Sequence, residues 1–520
     1  MPWGIEYMKT LGSTLIAPAR GSRSFLHGVR SIIRCTAVAG AIVLLSCACT
    51  VGPNYKGPPT PVGFSTFQRR PLAATNEETP VARWWVTLND AQLTKLIDSA
   101  LQNSPDVRLA EARLREARYT LAERRTGLFP QGSVSALGGR TRAPKSLLGS
   151  LSGNSGAQSS NSGATQTSLF NVGFDASWEL DLFGGTRRNV EGARSQAQSS
   201  EARLADTHVQ LAAQVARSYV NLREAQHRIG LVRRSIDIDQ QMLELTQLRR
   251  DAGTASQVDV ERLQVQAMQT QASLLPLQAF EDQSLNELAI LSGLAPGSLD
   301  EHLREPQAVP LPAATVAVGD PAGLLRRRPD IRAAERDLAA SNAKIGASIA
   351  QYFPTVRLLG TVGFVSTDAS HLFESSSLTA FGLPVLSWNA LDFGRTRARV
   401  HEAEAGYDVA LAQYQSIVLR ALEDAETSLS RYGREREHVV KLTAAQTAAA
   451  RAFDLTQQRQ SAGTASLTDL LDIERQRIQT EQELAEAQAA MTNDFVSLHK
   501  ALGLGWAPQL GSADTADPGP

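Results

Sequence analysis

The chain has 520 residues, 42% apolar and 20% charged, the balance of a folded protein, which excludes a disordered polar coil. With 52 basic against 53 acidic residues the net charge is −1, so the basic excess of a nucleic-acid binder is missing and no such partner is expected. Aromatics make up only 6%, while Ala, Leu, Gln, Arg and Glu fill long stretches, so the bulk should be helical.

The three cysteines, Cys35, Cys47 and Cys49, all lie in the first fifty residues, so the body of the chain forms no internal disulfide. Arg20, Arg23, Arg30 and Arg34 precede the apolar run Cys35–Leu45, and small residues follow it. That pattern reads residues 1–48 as an export signal. The run is too short to cross a bilayer, and no other segment reaches about 18 consecutive apolar residues. A cysteine directly after such a run is what bacterial lipoproteins carry, with Cys47 and Cys49 as the two candidates. A covalent N-terminal lipid is therefore the one non-protein group expected.

After a 49–103 segment holding a short helix, the chain is one unit duplicated. Ser104-Pro105-Asp106-Val107-Arg108 recurs as Arg328-Pro329-Asp330-Ile331-Arg332 and Leu128-Phe129-Pro130 as Tyr352-Phe353-Pro354, both displaced by 224. Trp178 recurs as Trp388, Phe183-Gly184 as Phe393-Gly394 and Ala252-Gly253-Thr254-Ala255-Ser256 as Ala462-Gly463-Thr464-Ala465-Ser466, all displaced by 210. The repeats are 104–300 and 328–505, joined by a 301–327 linker and followed by a flexible 506–520 tail. The fourteen extra residues of the first copy fall in Ser146–Thr167, almost wholly Ser, Gly, Asn, Thr and Gln, which reads as a solvated loop.

Each unit opens with a helix, Pro105 to Pro130 and Pro329 to Pro354, about 23 residues or roughly 35 Å. Two strands follow in each, Ser133–Arg142 and Leu169–Leu180, then Val356–Val365 and Leu378–Trp388. The alternation of Phe170, Val172, Phe174, Ala176, Trp178 and Leu180 gives the second strand one apolar face. Proline-free stretches Thr186–Arg250 and Thr396–Gln460 then predict helices of roughly 100 Å. In the first, Leu211, Val215, Ser218, Leu222, Ala225, Ile229, Val232, Ile236, Asp239 and Leu243 form a heptad seam; Val418, Leu422, Ala425, Leu429, Tyr432 and Val439 keep the register in the second. Gly253 and Gly463 reverse the chain into returning helices, the first interrupted at Pro276.

Four strands cannot close a membrane sheet, because the smallest common barrels have about eight, so several copies must share one barrel. Cys49-Thr50-Val51-Gly52-Pro53-Asn54-Tyr55, Trp84-Trp85, the duplicated Phe-Pro and Phe-Gly turns and Ala-Gly-Thr-Ala-Ser at both tips resemble the TolC/NodT-type outer membrane factor family across essentially the whole mature chain. The likeness selects Cys49 over Cys47 as the acylated residue. It implies a mainly α fold with a membrane β-barrel: a homotrimer whose duplicated helical hairpins form a periplasmic α-barrel continuous with a 12-stranded β-barrel. The implied role is a lipid-anchored outer-membrane exit channel that passively conducts drugs or other toxic compounds, with a periplasmic adaptor and an inner-membrane pump as partners. The adaptor would dock on Gly253, Thr254, Ala255, Ser256, Gly463, Thr464, Ala465 and Ser466. The rival readings are a structural coiled-coil lipoprotein or adaptor, and the channel of a protein secretion system.

No catalytic motif is complete, so no enzyme is expected. Ser341-Asn342-Ala343-Lys344 fits S-x-x-K but reads as a solvated helix face; His401-Glu402 lacks a second histidine four residues on; Gly149–Gly163 has no following Gly-Lys-Ser/Thr. The informative polar residues are carboxylates beyond the tips. Asp259 and Asp469 have capping-box spacing from Ser256 and Ser466, while Asp472 lies one turn further on, too deep to cap. Asp469-Leu470-Leu471-Asp472 resembles the family's paired aspartates at the periplasmic entrance, so Asp469, Asp472 and Asp259 are the gate candidates. Crowded in a trimer, the six carboxylates of Asp469 and Asp472 should attract cations and raise one another's pKa. Family members that tie this entrance shut with arginine have it where this chain has Ala465, so a different lock is expected.

Overall fold

The computed structural model describes residues 50–58, 67–69, 74–75, 82–144, 164–313, 316–318 and 321–506. Cys47, Cys49, the tail from 507 and loop residues 145–163, with the Gly149–Gly163 stretch, lie outside them.

Helix α1 (Ala91–Asn103) starts at Asp90, whose carboxylate accepts from the Gln92 and Leu93 N–H groups. At α2 (Pro105–Thr126) proline needs no partner, and the Ser104 hydroxyl accepts from Asp106. The hairpin of β1 (Gln131–Pro144) and β2 (Ala164–Leu180) follows. Strand β2 begins inside the stretch expected to be loop, because Pro144 still pairs with Ala164, and Thr165 and Thr167 continue the extended chain. Gly184, at φ 80°, turns the chain into α3 (Gly185–Asp251), which α4 (Gln257–Leu291) retraces. The short helices α5 (Asp300–Leu303) and α6 (Pro321–Arg327) lie in the linker. The second repeat reproduces the set: α7 (Pro329–Ala350), β3 (Thr355–Ser366), β4 (Leu378–Ser387), α8 (Arg395–Ser461) and α9 (Leu467–Ala501). Both long helices have 67 residues, about 100 Å at 1.5 Å per residue.

Strands β1 to β4 form one antiparallel sheet in chain order, so β1 and β4 are its free edges. On β2 the row Phe170, Val172, Phe174, Ala176, Trp178, Leu180 faces one side, and Asn171, Asp175, Ser177 and Glu179 face the other. A parallel pairing of Ala74–Thr75 with Val316–Ala317, two residues each, had no signal in the sequence.

The core sits midway along the long helices, where α1 and the Trp84-Trp85 turn pack on the seam. Trp84, Trp85, Leu93, Ile97, Tyr219 and Leu222 are almost wholly buried there. Seam residues Leu211 to Val232 and Asp239 are buried as the heptad predicts; Ile236 and Leu243, and Val439 on α8, are only half-buried. A second, smaller cluster of Leu231, Ile238, Met242, Leu471 and Ile478 joins the hairpins nearer the tips.

One expectation fails: α4 is not interrupted, and Pro276 lies inside it. Proline removes one backbone hydrogen bond at a cost of about 3 kcal/mol. Val260 and Ala267 on one side, and Leu285, Leu288 and Ala289 on the other, are buried and hold the helix through the lesion.

Candidate functional site

The two tips are built alike. At the first, Gly253 at φ 75° lets the Gly253 and Thr254 N–H groups donate to Arg250 O and Arg249 O. Gly463 at φ 73° repeats this onto Gln460 O and Arg459 O. The Thr254 and Thr464 hydroxyls donate to the same Arg249 and Arg459 carbonyls at 3.0 Å. A β-carbon at either glycine would meet only open space, so backbone conformation, not crowding, demands glycine there. Apart from the half-buried Ala255 and Ala465, these tip residues are exposed.

Reciprocal capping boxes then start the returning helices. Ser256 Oγ accepts from the Asp259 N–H while the Ser256 N–H donates to the Asp259 carboxylate, and Ser466 and Asp469 do the same. Bonds donated to the carboxylates, from the serine side chain first and the serine N–H second, hold both below the ordinary Asp range. Any mutual repulsion in an assembled ring acts against that preference. Among the described residues no hydrogen bond or ion pair joins Asp259 to Asp469 or Asp472.

Asp472 is exposed and accepts from Arg475 Nη2 at 2.7 Å. The other guanidinium nitrogen, Nη1, lies 3.6 Å from Asp239 on the long helix of the first repeat. Asp239 is 1% exposed and also accepts from Thr270 Oγ1 of α4 at 2.6 Å. One arginine thus links the entrance candidate Asp472 to a buried carboxylate of the neighbouring hairpin. The heptad reading registered Asp239 only as a polar seam residue; its partner lies 236 positions away and is invisible to local pattern.

The sheet face of Asn171, Asp175 and Glu179 carries a polar network. Asp175 accepts from Ser135 Oγ at 2.7 Å and Thr361 Oγ1 at 2.6 Å, and Arg357 pairs with Glu179 across strands at 3.0 Å. Where sheet meets helices, the N-terminal segment is strapped down: the Val51 N–H donates to Phe183 O, and the buried Arg188 donates to Val51 O, Gly52 O and Asn54 Oδ1. Thr50 packs so close to Gly184 that a β-carbon there would be 2.6 Å from its methyl group.

The S-x-x-K match borders this strap: Lys344 is exposed and Ser341 half-buried, as on a solvated helix face, while Asn342 and Ala343 between them are buried. Asn342 is buried and donates to Pro53 O, while the Ser341 hydroxyl donates to Asp337 O one turn back. His401 is engaged with Glu404 at 2.9 Å. Among the described residues no group of three or more His, Cys, Asp or Glu side chains could hold a metal ion, and no helix is long and apolar enough to cross a membrane.

The profile of the family described as "Outer membrane efflux protein" matches residues 96–294 and 321–504, one span for each repeat. The chain belongs to the outer membrane efflux protein family. It is 31% identical to "Nodulation protein T" of Rhizobium leguminosarum bv. trifolii over 472 residues, covering 89% of this chain and 96% of that protein. It is 29% identical to "Antibiotic efflux pump outer membrane protein ArpC" of Pseudomonas putida, covering 90% of this chain and 94% of that one. The solved structure of the outer-membrane channel OprN superimposes with a TM-score of 0.79 at 33% identity, over 88% of this chain and 100% of that one. In this efflux protein the sheet is the outer-membrane part and the hairpins are the periplasmic part of an export channel.

Proposed function

We propose that three copies of this chain form a passive exit duct for small molecules, opened when a periplasmic adaptor and an inner-membrane pump engage the helical tips. What carries the reading is the open four-stranded sheet with two unpaired edges, continuous with paired hairpins about 100 Å long. A membrane sheet cannot leave edges unpaired, and three such sheets make a closed barrel of twelve strands. Small toxic compounds are the favoured cargo, because relatives such as ArpC are named for antibiotic efflux.

Cys49 is the proposed acylation site. The strap that ties Thr50 and Val51 to the turn after β2 supports this, because it holds the residue next to Cys49 where the sheet meets the helices. Asp469 and Asp472 are the proposed entrance carboxylates, with Asp259 at the matching place on the first hairpin. Asp472 is the purest gate candidate, since its carboxylate makes no cap. The decisive experiment is purification of Cys49→Ser: a duct still needs detergent and runs as a trimer, whereas a soluble monomer would support the coiled-coil lipoprotein instead.

A further inference from the structure

We infer that the β4 edge of one copy pairs with the β1 edge of the next in a single register, sealed by Phe393 stacking on the partner's Phe129. The inference rests on the three-copy duct proposed above and adds which residues meet.

The internal duplication is geometric as well as textual. Helices α3 and α4 recur as α8 and α9 with every boundary displaced by 210, and α2 recurs as α7 displaced by 224. The hairpin ladders coincide too. Gln131 opposite Ser177 becomes Thr355 opposite Ser387, and Val134 opposite Phe174 becomes Leu358 opposite Pro384. Even the indole bonds recur, Trp178 Nε1 to Leu128 O and Trp388 Nε1 to Tyr352 O, both at 3.0 Å.

Within the chain the repeats meet where β2 pairs with β3. The next such junction around a ring joins β4 to a β1, and both edges are free here. Moving each side of the known junction by its own displacement gives the new one. Asp175 opposite Thr361 becomes Val385 opposite the partner's Leu137, and Ala176 opposite Gly360 becomes Leu386 opposite the partner's Ala136.

Side chains agree with this register. At the internal junction Phe183 stacks on Phe353, with centroids 4.5 Å apart and 15° between planes. Their duplicates, Phe393 and Phe129, are 101% and 61% exposed, and Phe393 stands at φ 50°, a strained setting for a bulky residue. Gly173 and Gly363 face each other so closely that a β-carbon on Gly363 would lie 2.5 Å from the Gly173 Cα. In the duplicate the larger Leu383 meets the partner's Gly139, so one glycine is kept. Leu386 on one edge and Val134 and Leu137 on the other are exposed apolar residues in want of cover. A second copy is the occupant because only this chain's own repeat carries the matching ladder.

The same transfer distinguishes the helical junctions. Within the chain, Asp239 with Arg475, Arg234 with Glu481 and Arg228 with Glu486 are ion pairs between α3 and α9. Between copies their places fall to Ala449 with the partner's Val265, Ala444 with the partner's Gln271, and His438 with the partner's Pro276. The three ion pairs of the internal junction therefore have no counterpart at these positions between copies.

The test is disulfide cross-linking of the full chain in a Cys49→Ser background. Val385→Cys with Leu137→Cys samples one face and Leu386→Cys with Ala136→Cys the other, since only non-hydrogen-bonded pairs bring side chains close enough for easy oxidation. At least one pair should give covalent dimers and trimers, while Val385→Cys with Ser135→Cys or with Gly139→Cys should give none. Phe129→Ala and Phe393→Ala should each lower the dissociation temperature of the trimer, and together no more than either alone. Cross-linking only at the offset pairs, or none in a protein that is a trimer by mass, overturns the register and leaves the duct standing. A monomer by mass overturns both.

Discussion

Arg475→Ala should unfasten the tip-side junction between the two hairpins of one protomer. At 3.6 Å the Asp239–Arg475 attraction is about 4–5 kcal/mol for an effective dielectric constant near 20. Removing one partner of a buried pair typically costs about 3–5 kcal/mol. Asp239 is 1% exposed, but the Arg475 side chain is 31% exposed, so the low end, about 3 kcal/mol, applies. Asp472→Ala removes only an exposed pair one turn away on the same helix, where about 0.3–0.5 kcal/mol is usual. Asp239→Asn keeps the Thr270 bond and should cost less than Arg475→Ala. Asp239→Leu combined with Arg475→Leu should recover most of the loss, because no charge is left buried. Hydrogen exchange of the amides around 239 and 475 reads the local stability, and current through the closed channel reads the functional result. Equal loosening by Asp472→Ala and Arg475→Ala, or no recovery in the double variant, would refute the reasoning.

Burial between Trp84 and Phe495 pushes the His499 imidazole down to about 4. The folded core thus holds it neutral while the unfolded chain takes a proton below 6.5. Stability is full above pH 6.5 and falls as pH drops toward 4, by up to about 3 kcal/mol; His499→Gln should flatten urea midpoints over that range. Asp259 and Asp469, lowered from 3.8 by their capping bonds, add stability that persists above that value and disappears below it. Amide exchange at the tips should therefore accelerate only in stronger acid than free Asp titrates in. Asp469→Asn with Asp472→Asn should weaken cation selectivity and block by multivalent ions; an unchanged reversal potential and unchanged block would leave these aspartates as surface residues. Cys49→Ser should abolish acylation and reduce yield without abolishing transport, and acylation lost instead in Cys47→Ser would move the lipid to Cys47.

What was legible in the sequence was local or repeated. Glycine at φ 75° and 73°, serine three residues before aspartate and proline at a helix start each act within a few residues, and their recurrence at fixed displacement doubled every signal. The seam of α3 was readable because 3.5-residue periodicity is a property of one helix. What escaped depends on distant partners. Pro276 stays helical because apolar residues on both flanks are packed, Ala74–Thr75 finds a partner strand in the linker, and Asn342 is bonded to Pro53 O, 289 positions away. At the candidate site the spacing of Asp259, Asp469 and Asp472 was readable. The Arg475 bridge was not, because charge type alone does not say which aspartate an arginine will reach.

The most direct test of the exit-duct account is single-channel recording of the purified trimer in a planar bilayer under a salt gradient. Discrete steps with a reversal potential on the cation side, enlarged when Arg475→Ala removes the bridge, are the expected result. A protein that is trimeric by mass and inserted in the bilayer, yet passes no current in either form, would contradict it.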